Sequence, residues 1–97
     1  MKVKHLAIVG LGSIGRRHLR LLKKIRPELE ITLVRSGKGQ SYPEIELATR
    51  LVHNVWDAIE SGIQAAIVSS PSSDHVMQAS ILGKEGIHLL VEKSLSN

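Results

Sequence analysis

The sequence predicts an α/β fold: five parallel strands in the order 3-2-1-4-5, covered by helices on both faces. Three observations carry this. Short apolar runs alternate with segments of helical spacing along almost the whole chain, the pattern of a parallel sheet with crossover helices. Glycines at Gly10, Gly12 and Gly15 stand at G-x-G-x-x-G spacing between the first apolar run and the first helical segment. The chain has 97 residues, 42% of them hydrophobic, enough for one domain with a packed core. That core must be aliphatic, because there is no Phe, one Trp and one Tyr.

The elements follow in order. Residues 4–9 read as the first strand, and residues 14–25 as a helix that presents Ile14, His18, Leu21, Leu22 and Ile25 on one apolar face. Pro27 marks its end, since the residue before a proline resists helix. Residues 30–34, Glu-Ile-Thr-Leu-Val, are rich in β-branched side chains and form the second strand. The polar loop Arg35-Ser36-Gly37-Lys38-Gly39-Gln40-Ser41 follows. Residues 43–51 read as a short helix with Pro43 in its first turn, and residues 51–53 as a short third strand. Residues 55–60 form a short helix closed by Gly62. The apolar run 65–69 has the length of a buried parallel strand. A turn at Ser70-Pro71 then leads to a helix over residues 74–84, with Ser72 or Ser73 as its cap. Residues 87–91 make the fifth strand. No internal repeat or low-complexity segment interrupts the series.

The glycine triplet carries the chemistry. Gly10 lets the chain turn sharply out of the strand, Gly12 lets a pyrophosphate approach the backbone, and Gly15 lets the helix pack closely on the strand. The free N–H groups and positive dipole end of the helix then face the phosphates. The alternative is a glycine turn with a structural role only; the strand before it and the helix after it favour dinucleotide binding.

Charge and composition exclude other classes. The net charge is +4, and Arg16, Arg17, Arg20, Lys23, Lys24 and Arg26 crowd the first helix. Most of these cations read as a solvated outer face, with Arg16 or Arg17 lying near bound phosphates as the alternative. A nucleic-acid partner is not expected, because the aromatic side chains of single-strand binders are nearly absent. There is no Cys, hence no disulfide and no thiolate metal site, and a metal site is not expected. No apolar run approaches the roughly 20 residues that span a membrane, and the first strand starts too early for a signal peptide. The expectation is a cytoplasmic protein without a membrane partner.

Three stretches lie at the carboxyl ends of strands, where open α/β sheets bind ligands. They are the Gly10 loop, Ser69 to His75, and Glu92-Lys93. The stretches around them read Val-Gly-Leu-Gly-Ser-Ile-Gly-Arg-Arg-His at 9–18, Ser-Pro-Ser-Ser-Asp-His at 70–75, and Gly-Ile-His-Leu-Leu-Val-Glu-Lys at 86–93. Together they resemble the glucose-fructose oxidoreductase/inositol dehydrogenase (Gfo/Idh/MocA) family of NAD(P)-dependent oxidoreductases, whose pattern reads T-P-N-x-x-H and then A-G-K-H-V-L-x-E-K-P. The resemblance covers almost the whole chain and implies a Rossmann-type domain. It implies that Gly10, Gly12, Ser13 and Ile14 line the cofactor pyrophosphate, with Gly15 belonging to the cofactor-binding motif as the glycine that packs the helix on the strand. Ser70, Pro71 and His75 would lie beside the nicotinamide, and Glu92 and Lys93 would match the family's Glu-Lys pair near nicotinamide and substrate. Lys93 would be the catalytic residue that assists proton transfer at the substrate hydroxyl, and a lysine beside a cleft has a readily shifted pKa. Blander readings stand beside these: Lys93 as an exposed strand-end lysine, His75 as a packing or capping residue, His18 as structural, Ser70 and Ser72 as turn and cap. The sequence departs from the family at Ser94, where proline would fix the backbone, at Ser72 for Asn, and at Ile87 for Lys.

The end of the second strand bears on the choice of cofactor. NAD-binding domains place an acid there to hold the adenosine ribose. Here the strand ends Val34-Arg35-Ser36, and the acids Glu28 and Glu30 lie at its beginning. Arg35 suits a 2′-phosphate through its paired donors, Ser36 can add a hydrogen bond and Lys38 a charge. NADP is therefore expected over NAD, the alternative being a solvated Arg35. The resemblance further implies a longer two-domain enzyme that transfers hydride to or from a sugar, cyclitol or related substrate. The small-molecule substrate would be met largely through a C-terminal domain beyond these 97 residues, which alone are expected to be inactive. Self-association of the parent is left open. The alternative is a non-catalytic NAD(P)-binding regulatory module.

Overall fold

Alternation of side chains along the central strand divides the core in two. In the computed structural model, β1 (His5–Val9) turns Ala7 and Val9 to one face and Leu6 and Ile8 to the other, and all are buried. The structure describes residues 3–10, 13–35, 42–69 and 72–91, without the side chains at 13, 72–75 and 91. After β1 come α1 (Ser13–Ile25), β2 (Glu30–Val34), a 3₁₀ helix (Pro43–Leu47), β3 (Arg50–Val52) and α2 (Val55–Glu60). Then follow β4 (Ala65–Val68), α3 (Ser72–Lys84) and β5 (His88–Val91). The strands form one five-stranded parallel sheet in the order β3-β2-β1-β4-β5, as the sequence predicts.

The first two crossovers leave β1 in one direction and the last two in the other, so right-handed connections place their helices on opposite faces. Leu19 of α1 packs with Leu6, Ile8, Ile31, Leu33 and Ile67 on one side. Val55 and Ala58 of α2 and Leu82 of α3 pack with Ala7, Val9, Val34, Ala66 and Val68 on the other. Both clusters are aliphatic, and Trp56 lies out in solvent.

Local details differ from the sequence reading. The buried face of α1 is centred on Gly15, Leu19 and Leu22, whereas Leu21 and Ile25 are 44% and 73% exposed. Close contact at Gly15 sets the rotation of the helix, and the residues four and seven positions on share that face. The helix expected over 43–51 ends at Leu47 as a 3₁₀ helix. Beyond it, Thr49 enters the sheet margin: its N–H donates to the Ile31 carbonyl (2.8 Å) and its Oγ1 accepts from the Ile31 N–H (3.0 Å). That pairing draws β3 to Arg50–Val52, one residue earlier than expected. In α3, Ser72 and Ser73 are already helical, so neither is the cap. The cap of α2 is instead clear: Asn54 Oδ1 accepts from the Asp57 N–H at 2.9 Å.

At the amino ends of the strands a polar cluster ties β1, β2 and β3 together. Arg50 Nη1 donates to His5 Nε2 (2.9 Å) and to Thr32 Oγ1 (3.3 Å), and the Thr32 hydroxyl lies 2.6 Å from His5 Nε2. A guanidinium only donates, so His5 Nε2 is the acceptor and the ring proton sits on Nδ1. Burial, reinforced by the Arg50 charge, pushes His5 below its ordinary pKa, against the pull of Glu30 and a backbone hydrogen bond with Gly62. A cleft of about 600 Å³ lined in part by Lys4, His5, Arg26 and Gln64 opens beside this cluster. It lies at the opposite end of the sheet from the glycine turn. Among the described residues no helix is long and apolar enough to cross a membrane.

Candidate cofactor site

The carboxyl ends of β1, β2 and β4 converge on the glycine turn. Gly10 has φ 93°, a left-handed conformation that L side chains rarely adopt, and its N–H donates to the Val34 carbonyl at 2.9 Å. The chain thus leaves β1 by a sharp turn while still hydrogen-bonded to the end of β2. On the other side the Ser69 N–H donates to the Val9 carbonyl at 2.9 Å. The Ser69 hydroxyl is placed at 3.2 Å from both the Val9 and the Gly10 carbonyl oxygens and shares its proton between them.

Gly15 closes this arrangement. A Cβ on Gly15 would stand 2.5 Å from the Gly10 carbonyl oxygen and 2.9 Å from Ser69 Oγ, closer than a methyl group can lie. Helix α1 therefore packs directly on the turn because residue 15 has no side chain. Its first turn holds no acidic residue, so the positive end of the helix dipole is not offset there by its own chain. Gly10 and Gly15 thus bring the end of β1 and the start of α1 together with no side chain of their own between them, a geometry that fits a pyrophosphate.

The outer part of the site lies at the end of β2. The Arg35 N–H donates to the Val52 carbonyl at 3.0 Å, and His53 Nδ1 lies 3.3 Å from the Arg35 carbonyl oxygen. The Arg35 guanidinium lies over the Tyr42 ring, 5.8 Å from its centroid, and the Arg16 guanidinium of α1 lies over the same ring at 4.1 Å. Glu44, two residues after Tyr42, is paired through Oε2 with Arg20 at 2.7 Å. The acids of β2 are at its other end: Glu28 pairs with Arg26 at 2.9 Å, and Glu30 lies across from His5 in the β1 register.

Of the expected site residues, Gly10, Ile14, Gly15 and Arg35 are described and gather at this end of the sheet, with Ile14 half-buried in the first turn of α1. Ser13 and His75 are described in backbone only, in the opening turns of α1 and α3. Gly12, Ser36, Ser70, Pro71, Glu92 and Lys93 lie outside the described residues. The sequence reading set Ser69 at a strand end beside the site without giving it a role, and it missed Tyr42. A serine ending an apolar strand gives no signal of a bond to a turn 59 positions away. Tyr42 could have been noticed as the one Tyr of a chain almost without aromatic residues.

A family model described as an oxidoreductase family with an NAD-binding Rossmann fold matches residues 4–96. The chain belongs to the Gfo/Idh/MocA family. Solved structures share its fold. Scyllo-inositol dehydrogenase from Lactobacillus casei, solved with NAD(H) and scyllo-inositol, is 24% identical with a TM-score of 0.77, over 95% of this chain and 28% of that one. A probable dehydrogenase from Thermotoga maritima is 22% identical with a TM-score of 0.79, over 94% of this chain and 28% of that one. The WlbA dehydrogenase from Bordetella pertussis, solved with NADH and UDP-GlcNAcA, is 21% identical with a TM-score of 0.75, over 95% of this chain and 30% of that one. The chain thus spans less than a third of the length of these Gfo/Idh/MocA-like structures. No curated protein sequence matches it.

Proposed function

We propose that this chain is the dinucleotide-binding domain of an oxidoreductase that uses NADP in preference to NAD. The observation that carries the cofactor preference is the end of β2: Arg35 shares the Tyr42 ring with Arg16, and residues 35–41 contain no acid. A guanidinium matches a phosphate with paired donors, whereas an NAD ribose is held by a carboxylate that is absent here. Gly10, Gly12, Ser13 and Ile14 hold the pyrophosphate at the helix start that Gly15 lets pack on the strand end, and Arg35 and Ser36 hold the 2′-phosphate.

The bound nicotinamide supplies hydride transfer to or from a carbinol or carbonyl carbon. The family supports a sugar, cyclitol or sugar-derivative substrate, completed by a further domain of a longer protein; the 97 residues alone turn nothing over. In this reading Lys93 moves the proton at the substrate hydroxyl, with Glu92 beside it. Ser70, Pro71 and His75 border the nicotinamide.

The test is a calorimetric titration with NADPH and NADH side by side. NADPH is expected to bind more tightly, and Arg35→Ala to weaken it by about ten- to hundredfold while sparing NADH, the range of a charged hydrogen-bond pair. A wild-type preference for NADH would overturn the NADP assignment and leave the dinucleotide domain standing. Binding of neither nucleotide, by this chain and by the full-length protein, would overturn both.

A further inference from the structure

Arg16 belongs to the first turn of α1, immediately after Gly15, where a Cβ would collide with the Gly10 carbonyl. Its guanidinium does not follow the dipole-facing phosphate cradle. It stacks 4.1 Å from the centroid of Tyr42, a half-buried residue that packs against the Leu6, Ile8 and Leu19 cluster. Among the described residues Arg16 has no carboxylate at ion-pair distance, and its Nε is buried without a hydrogen-bond partner. The nearby acid, Glu44, gives its Oε2 to Arg20, and the Arg16 charge adds only a lesser pull on the same carboxylate. The ring therefore holds Arg16 in place. The same ring carries Arg35 at 5.8 Å, so two cations from different elements are held beside one aromatic group at the carboxyl end of β2.

We infer that Tyr42 is a positioning residue that holds Arg16 beside Arg35, and that Arg16 is thereby a second determinant of selectivity for the adenosine 2′-phosphate. This rests on the NADP reading above and adds to it a residue from a different element. The physical reason is charge. Two guanidinium groups near one ring repel each other, and the electron-rich face and the Glu44 carboxylate, which Arg20 already neutralises, offset only part of that. A phosphate monoester carries about −1.5 to −2 charges at neutral pH and relieves the repulsion on binding, whereas the 2′-hydroxyl of NAD does not. Arg16 thus discriminates between the two cofactors instead of strengthening both. Because Tyr42 packs against the core and Arg16 stacks on its ring, less side-chain freedom remains to be lost when the phosphate arrives.

The experiment compares Kd for NADPH and NADH, and for 2′-AMP and 5′-AMP, in the wild-type chain and in Arg16→Met, Arg16→Lys, Tyr42→Leu and Tyr42→Phe. Circular dichroism checks the fold of each variant. Arg16→Met keeps the apolar stem and removes the charge; it is expected to lower the NADPH-to-NADH preference by about tenfold or more, with NADH affinity unchanged. Tyr42→Leu is expected to lower it in the same direction, while Tyr42→Phe, which keeps the ring, retains it. Arg16→Lys keeps a charge without the planar fork and is expected to fall between. Equal weakening of both nucleotides would assign Arg16 to the glycine turn and overturn the inference. A preference lost in Arg35→Ala but intact in Arg16→Met would overturn the inference alone. No NADPH preference in the wild type would overturn the NADP reading and this inference with it. Should Arg16→Met fail to fold, Arg16→Lys and Tyr42→Leu decide by the same ratio, and an unchanged ratio in both overturns the inference.

Discussion

Ser69 and Gly15 meet at the Gly10 carbonyl, one supplying a hydroxyl proton and the other supplying room. The helix start can approach the end of β1 only because residue 15 has no Cβ. Gly15→Ala must push α1 off the turn or break the Ser69 contact. Overpacking of this kind costs about 1–3 kcal/mol. Chemical denaturation should register that loss, and the variant should bind both NADPH and NADH more weakly, because the cradle shared by both is displaced. Unchanged stability would mean that the turn yields freely at this point. The glycine spacing announced Gly15 in the sequence; the Ser69 hydroxyl had no such signature, because it acts across chain-distant strands.

At the scale of elements, the short helix α2 depends on its ends. Six residues make a marginal helix, and the first turn is satisfied by Asn54, whose Oδ1 accepts the Asp57 N–H and whose Nδ2 donates to Asp57 Oδ2 at 3.2 Å. At the other end Ser61 Oγ donates to the Ala58 carbonyl at 2.6 Å and Gly62 turns the chain with φ 95°. Asn54→Ala is expected to cost about 1 kcal/mol. A thermal unfolding midpoint equal to that of the wild type would show the cap to be dispensable. Helix α1 carries another lesson. Its apolar periodicity was plain, yet the rotation read from it put Leu21 and Ile25 inward, and both are exposed. Hydrophobic spacing identifies a stripe about a helix; close contact at Gly15 selects which part of that stripe meets the sheet.

Over the whole molecule, the two ends of the sheet do different work. The carboxyl ends carry the glycine turn and the cations. The amino ends carry the His5, Thr32 and Arg50 cluster, which fastens the edge strand β3 to β2 and β1. His5 is kept neutral chiefly by burial and then by Arg50, so its folded pKa lies below the ordinary 6.5. The unfolded chain then binds the proton more readily than the folded one. This contribution to stability is full above about pH 6.5 and is lost as pH falls from there through the folded pKa. Denaturation between pH 7.5 and 5 should show declining stability, and His5→Gln should flatten part of that decline. An identical slope in the variant would place the pH dependence elsewhere.

The sequence by itself determined the α/β class, the strand order, the glycine turn and the polarity of β2, with its acids at one end and Arg35 at the other. These are local signals: periodicity, glycine spacing and the chemistry of a few consecutive residues. Only the tertiary structure decided that Ser69 bonds the turn, that Gly15 sets the rotation of α1, and that Arg16 and Arg35 share Tyr42. It also brought His5, Thr32 and Arg50 into one cluster from the first three strands. The physical reason is common to all of these. A parallel sheet joins its strands through long crossovers, so neighbours in space are distant in sequence and their pairing is fixed by register. No local pattern in the chain records which side chains that register brings within a hydrogen bond.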